Sequence, residues 1–279
     1  MNKVALVMEG GGLRGVFTAG AVDCFLDNNI NFDYVVGVSA GACNAFSYIG
    51  KANKYMKNII AVRNPFKSFY GVPQMLESHK YIDLDKVFDE YTIEFNYDFD
   101  TFVNNPINWE MGVSNIDTGK VEYMHSNDIE EAKKIGKASC SLPIITSPVQ
   151  INNQFYLDGG ICDPIPYQRA FDLGYDKVVA ILTRKKGNYS ISKEVTRLMF
   201  KRMYSNHPKF LEALLARNEL YVKQVKEVEK LQNDNKLILI RPTMQEVGRM
   251  ESDESELSMS YYHGYTKCKE YLDEIRGLF

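Results

Sequence analysis

The sequence predicts an α/β fold built on parallel strands, on two observations from its first fifty residues. Two short apolar runs, Val4-Ala5-Leu6-Val7-Met8 and Phe32-Asp33-Tyr34-Val35-Val36, flank a stretch in which Val22, Phe25 and Leu26 recur at helical spacing. Runs of this length and composition read as buried strands. A strand–helix–strand unit normally forms a right-handed crossover between parallel neighbours. Each run also leads into a glycine-bearing turn: Gly10-Gly11-Gly12-Leu13-Arg14-Gly15 after the first, Gly37-Val38-Ser39-Ala40-Gly41 after the second. Parallel strands end on one edge of a sheet, where open α/β folds place their sites. Both turns are therefore expected on that edge.

Composition bounds the function. A chain of 279 residues makes one large or two ordinary domains. With 45% hydrophobic and 25% charged residues it builds a core without staples. A net charge of −3 argues against a nucleic-acid partner. Five cysteines without a C-x-x-C pair fit a reducing compartment, and no Cys/His cluster has zinc-ligand spacing. The first apolar run is shorter than a signal peptide's, and no stretch reaches membrane-spanning length. A cytoplasmic protein that is at most peripheral at the membrane is expected.

The second turn is a G-x-S-x-G pentapeptide. Between a strand and the small residues Ala42, Cys43, Asn44 and Ala45 it has the context of a nucleophile elbow, in which a serine is lifted clear of the sheet. Gly37 and Gly41 let strand and helix approach closely, and the Ala40 N–H faces any oxyanion that forms. The first turn satisfies G-x-G-x-x-G through Gly10, Gly12 and Gly15, yet no acidic residue ends the second strand, as a dinucleotide site requires; Asp33 is at its wrong end. No Gly-Lys-Ser/Thr closes a P-loop either. Three consecutive glycines before a helix N-terminus instead suit an oxyanion hole. Arg14 either strengthens that field or braces the loop.

Gly-Gly-Gly-Leu-Arg-Gly followed by Gly-Val-Ser-Ala-Gly resembles the patatin-like phospholipases. The resemblance continues at Ala138-Ser139-Cys140-Ser141-Leu142-Pro143, at Asp158-Gly159-Gly160 and at Asp163-Pro164-Ile165-Pro166, and extends to about Arg184. Ser141 stands where a small apolar residue is expected, and Glu9 where plant members have Asp, which suggests a bacterial subgroup. The resemblance implies a three-layer α/β/α sandwich with a mostly parallel central sheet. It implies that Ser39 is the nucleophile, that Asp158 is the second catalytic residue, and that residues 10 to 15 form the oxyanion hole. It also implies lipid or acyl-ester substrates, without a metal or organic cofactor.

Between and beyond these motifs the pattern gives strands over Met111–Ile116 and Val121–Met124, joined by an Asp117-Thr118-Gly119 turn. A helix over Ile129–Ala138 follows, then strands over Gln154–Leu157 and Val178–Leu182. Leu214, Leu215, Tyr221, Val225 and Val228 mark an amphipathic helix after Pro208, and Leu237–Ile240 a strand. The acidic stretch Glu246–Glu256 reads as a loop before a final helix starting near Leu257. Residues 1–185 are thus expected as an acyl hydrolase core and 186–279 as a helical extension packed on it. In residues 51–80 six basic residues face a single Glu77, with Phe66, Phe69, Tyr70 and Met75 interleaved. That segment is either a solvated face or an interfacial one beside the site.

Serine needs a base. None of His79, His125, His207 and His263 follows a strand, as a triad histidine would. The remaining candidate is a Ser39–Asp158 dyad, as the resemblance implies. The same dyad would serve an esterase or thioesterase on small soluble substrates, and the fold also admits a non-catalytic regulatory protein.

Overall fold

The computed structural model describes residues 3–62, 82–95, 97–187, 194–251 and 253–279. Its eight strands are β1 (Val4–Met8), β2 (Tyr34–Val38), β3 (Asn108–Asn115), β4 (Val121–Met124), β5 (Val149–Ile151), β6 (Gln154–Asp158), β7 (Lys177–Ile181) and β8 (Leu237–Ile240). They form one sheet in the order β5-β6-β3-β2-β1-β7-β8, with β4 paired to β3. The β1–β2, β2–β3, β1–β7 and β7–β8 pairs are parallel, and the β3–β4, β3–β6 and β5–β6 pairs antiparallel.

The helices are α1 (Gly15–Asp27), α2 (Ala40–Ile49), α3 (Tyr55–Val62), α4 (Tyr91–Glu94), α5 (Phe99–Val103), α6 (Ile129–Cys140), α7 (Tyr167–Asp172), α8 (Glu194–Met203), α9 (Pro208–Asn233), α10 (Glu254–Glu270) and α11 (Leu272–Arg276). They cover both faces of the sheet. Val4, Leu6 and Met8 of β1 join Phe17 and Phe25 of α1, Phe46 of α2 and Ile135 of α6 in one core. Ala5 and Val7 point the other way, to Tyr167 of α7 and to Tyr221, Val225 and Val228 of α9. This alternation is the period-2 rule of a strand buried on both faces. The result is the predicted α/β/α sandwich with helices at the C-terminal end.

Helix α10 begins earlier than the composition suggests, and a short α11 follows it. Asp253 caps α10, accepting from the N–H groups of Ser255 (2.8 Å) and Glu256 (3.3 Å), so Glu254 and Glu256 lie in its first turn. Acidic residues there complement the helix dipole. Helix α10 then crosses α1 at near-backbone contact. A Cβ at Gly20 would fall 2.0 Å from the Tyr261 carbonyl oxygen, and one at Gly264 1.9 Å from that of Phe17. Below the crossing, Asp23 accepts from the Tyr261 hydroxyl at 2.5 Å and from the Lys54 N–H at 2.9 Å. Gly20→Ala or Gly264→Ala should cost about 3 kcal/mol or more, the upper range for overpacking, because backbone cannot give way as a side chain does. Denaturant unfolding measures it, and a loss under about 0.5 kcal/mol would contradict the close crossing.

Most of the basic segment, including Arg63, Phe66, Lys67, Phe69, Tyr70, Met75, Glu77 and Lys80, lies outside the described residues. Of its described part, Lys57 donates to the Tyr262 hydroxyl at 3.0 Å and rests on that ring and on Tyr261. No helix among the described residues is long and apolar enough to cross a membrane.

Candidate active site

Sheet register brings the site together. Val38, the last residue of β2, pairs with Gly112, and the next residue of β3, Val113, pairs with Asp158 at the end of β6. Ser39 and Asp158, 119 positions apart, therefore meet, and the Ser39 hydroxyl donates to Asp158 Oδ2 at 2.7 Å. Ser39 has φ 56° and ψ −125°, a conformation that non-glycine residues hold only under strain. The surroundings fix it. A Cβ at Gly37 would lie 2.3 Å from the Gly41 carbonyl oxygen, and one at Gly41 2.3 Å from that of Met8, so only glycine admits this tight strand-to-helix turn.

Two further contacts clamp the serine. Its N–H donates to Ser139 Oγ at 3.0 Å, and Ser139 Oγ donates to the Gly112 carbonyl at 2.7 Å. The Cys140 thiol donates to the Ser39 carbonyl at 3.3 Å and lies 3.5 Å from Cys43 Sγ. Ser139 and Cys140 belong to the Ala-Ser-x-x-x-Pro stretch, but their hold on Ser39 could not be read from spacing because it spans 100 residues.

Asp158 is 4% exposed. Its second oxygen accepts the Gly160 N–H at 2.7 Å, so Gly159-Gly160 serves as an anchor for the carboxylate. Burial pushes the Asp158 pKa above the usual carboxylate range. The Ser39 hydrogen bond, the charges of Arg217 and Arg249 and the Gly160 N–H act against that shift.

The glycine loop packs on the elbow. A Cβ at Gly10 would touch the Ser39 Cβ at 2.9 Å, and one at Gly15 the Ala40 Cβ at 2.6 Å. Asn44 of α2 ties the two motifs, donating to the carbonyls of Gly15 (3.1 Å) and Ala40 (2.9 Å). The amides flanking the loop are committed, Glu9 N–H to Ile181 O and Leu13 N–H to Arg249 O. Those of Gly11, Gly12 and Ala40 have no acceptor among the described residues. Gly12, at φ +59°, is exposed. Arg14 is buried and donates from Nε to the Gly11 carbonyl at 3.3 Å, so it does brace the loop. Buried Glu9 accepts the Thr183 N–H at 2.6 Å, pinning the start of the loop to the end of β7.

The described histidines are engaged elsewhere. His125 meets the Trp109 ring, His207 pairs with Asp117 at 3.2 Å, and His263 contacts Thr243 Oγ1 and the Phe17 ring. His79 lies outside the described residues. Arg184, Arg217 and Arg249, which sequence reading did not single out, also gather at the site.

Comparison with known proteins agrees with this architecture. The Patatin-like phospholipase profile matches residues 6–171, and a Domain of unknown function (DUF6363) matches 207–279. The uncharacterized protein YjjU of Escherichia coli (strain K12) is 31% identical over 196 residues, covering 65% of this chain and 52% of YjjU. The lysophospholipase nte1 of Aspergillus oryzae is 26% identical across 99% of this chain, which spans only 18% of that much longer protein. The crystal structure of VipD from Legionella pneumophila shares the fold, with a TM-score of 0.51 at 13% identity, over 98% of this chain and 67% of VipD. Since the patatin profile takes in more than half of the sequence and both its glycine turns, this chain belongs to the patatin-like phospholipase family.

Proposed function

We propose that this protein is a serine acyl hydrolase that cleaves fatty-acyl esters. The 2.7 Å hydrogen bond from the strained Ser39 to a buried carboxylate, beside a loop of uncommitted amides, is the observation that supports it most. Ser39 Oγ attacks the ester carbonyl, and its proton passes to Asp158 Oδ2. The N–H groups of Gly11, Gly12 and Ala40 hold the oxyanion; one such donor typically contributes about 10²–10³ in rate. Collapse of the tetrahedral intermediate breaks the bond to the alcohol, which takes the proton from Asp158 and leaves the acyl group on Ser39. Water then attacks, gives a proton to Asp158, and Ser39 recovers it as the acid departs. Burial suits Asp158 to this task, because it makes the carboxylate a better base than an ordinary aspartate. The hydrolase core and its C-terminal extension act as one unit, since α10 packs on the helix that follows the glycine loop.

A fluorophosphonate probe should label the protein at Ser39, and a mixed lipid extract should yield free fatty acids. Absence of labelling would favour a binding protein. Hydrolysis of soluble esters without action on vesicles would favour a small-substrate esterase. Replacing His79, His125, His207 and His263 one at a time should leave at least about a tenth of the activity, since a general base typically contributes 10²–10⁴-fold. A folded histidine variant as inactive as Ser39→Ala would point to a triad instead.

A further inference from the structure

Four guanidiniums from separate stretches of chain converge around the glycine loop and Asp158. Arg14 lies under the loop, with Nε 3.3 Å from the Gly11 carbonyl. Arg217 reaches in from α9, donating from Nε to the Gly160 carbonyl at 2.7 Å; its Nη2 stands 3.8 Å from where a Gly160 Cβ would sit. Arg184, just beyond β7, stacks over the Tyr221 ring at 4.7 Å. Arg249 packs on the loop through its main chain. Its carbonyl accepts the Leu13 N–H at 3.0 Å, and a Cβ at Gly12 would come within 2.7 Å of that oxygen.

The charges of Glu9, Asp158 and Glu246 act on these arginines. No ion pair links Arg217 or Arg249 to a carboxylate among the described residues. The arginines repel one another: burial first, then the charges of Arg217, Arg14 and Arg184, depress the Arg249 pKa. Arg249 is nonetheless a solvent-accessible residue. Two such guanidiniums beside an exposed loop suit an anion, and guanidiniums match phosphate oxygens in both charge and shape.

We infer that Arg249 and Arg217, with Arg14 and Arg184 behind them, form an anion subsite beside the oxyanion loop that selects acyl esters bearing an uncapped phosphate monoester. The inference rests on the acyl-hydrolase reading and adds the headgroup to it. A dianionic phosphate meets the guanidiniums of Arg217 and Arg249, whereas the ammonium of a zwitterionic headgroup would approach charges of its own sign.

Three esters of one acyl chain test this: 1-octanoylglycerol 3-phosphate, 1-octanoylglycerol and 1-octanoyl-glycero-3-phosphocholine. The parent should prefer the phosphate monoester by at least about tenfold in kcat/KM, mainly through KM. Arg249→Ala should bring that ratio towards one, and Arg249→Lys should restore part of it. The loop contact is made by the Arg249 main chain, so the side-chain change leaves it in place. Equal efficiency on all three esters, or an unchanged ratio in Arg249→Ala, overturns the subsite while leaving the hydrolase standing. If none is cleaved and no fluorophosphonate reacts, the hydrolase reading itself fails. Calorimetric titration of Ser39→Ala protein with 1-octanoylglycerol 3-phosphate then decides the subsite. Binding weakened by Arg249→Ala supports it, and no binding overturns it. Inorganic phosphate that stabilises the protein without any preference for the phosphate ester would mark a free-anion site and overturn the substrate assignment.

Discussion

Ser39→Ala should lower ester hydrolysis by about 10³-fold or more and abolish fluorophosphonate labelling, because no other hydroxyl hydrogen-bonds to the Asp158 carboxylate among the described residues. Its thermal stability should stay near that of the parent. Alanine inherits the same unfavourable backbone angles, and one hydrogen bond to the carboxylate is lost. Ser39→Gly separates the two effects. It should be equally inactive but more stable by about 1 kcal/mol, since glycine tolerates φ 56° and ψ −125° without strain. A calorimetric scan of the two variants beside the parent measures the strain held at the elbow. Parent-like turnover in folded Ser39→Ala would remove Ser39 as nucleophile, and Ser39→Gly less stable than Ser39→Ala would remove the strain.

Asp158→Asn should be as damaging to turnover, about 10³-fold or more, while making the protein more stable at neutral pH. The amide keeps the shape and can still accept from Gly160, but the buried charge is gone. The sign follows from the raised pKa of Asp158. A folded-state pKa above the unfolded one contributes stability at low pH, and that contribution is lost as pH rises through the folded value. The advantage of Asp158→Asn over the parent should therefore be small near pH 3.5 and grow towards pH 7. Parent kcat/KM should fall in acid with an apparent pKa above the ordinary aspartate value of about 3.9. An acid limb at or below that value, or an Asn variant less stable at pH 7, would contradict the role given to burial.

Much of this was legible in the sequence because it is local. Val4, Leu6 and Met8 against Ala5 and Val7 announce a strand buried on both faces. The glycines around Ser39 announce a turn that no other residue fits. Asp158 could be singled out only with the neighbouring motifs, since an Asp before two glycines is otherwise a turn residue. What the sequence hid is non-local. Ser139 reaches Ser39 through the register of β2 on β3, and Arg217 sits on a helix whose apolar stripe says nothing of its polar side. Arg249 acts from an irregular stretch with no pattern of its own. The misplaced start of α10 has a different cause: a dense run of Asp, Glu and Ser reads as loop by composition, whereas Asp253 turns the same residues into a helix start.

The sheet order also limits where this chain can be divided. The patatin profile ends at residue 171, before β7, yet β7 is the parallel neighbour of β1 on the side away from β2. A fragment cut at that boundary would turn β1, entirely apolar, into an open edge with unpaired N–H and C=O groups. Edges of that kind template aggregation. It would also strip α9 from Ala5 and Val7 and α10 from α1. The matched segment thus leaves out β7 and α9, two elements that pack against β1 from the other side of the sheet order and from its second face.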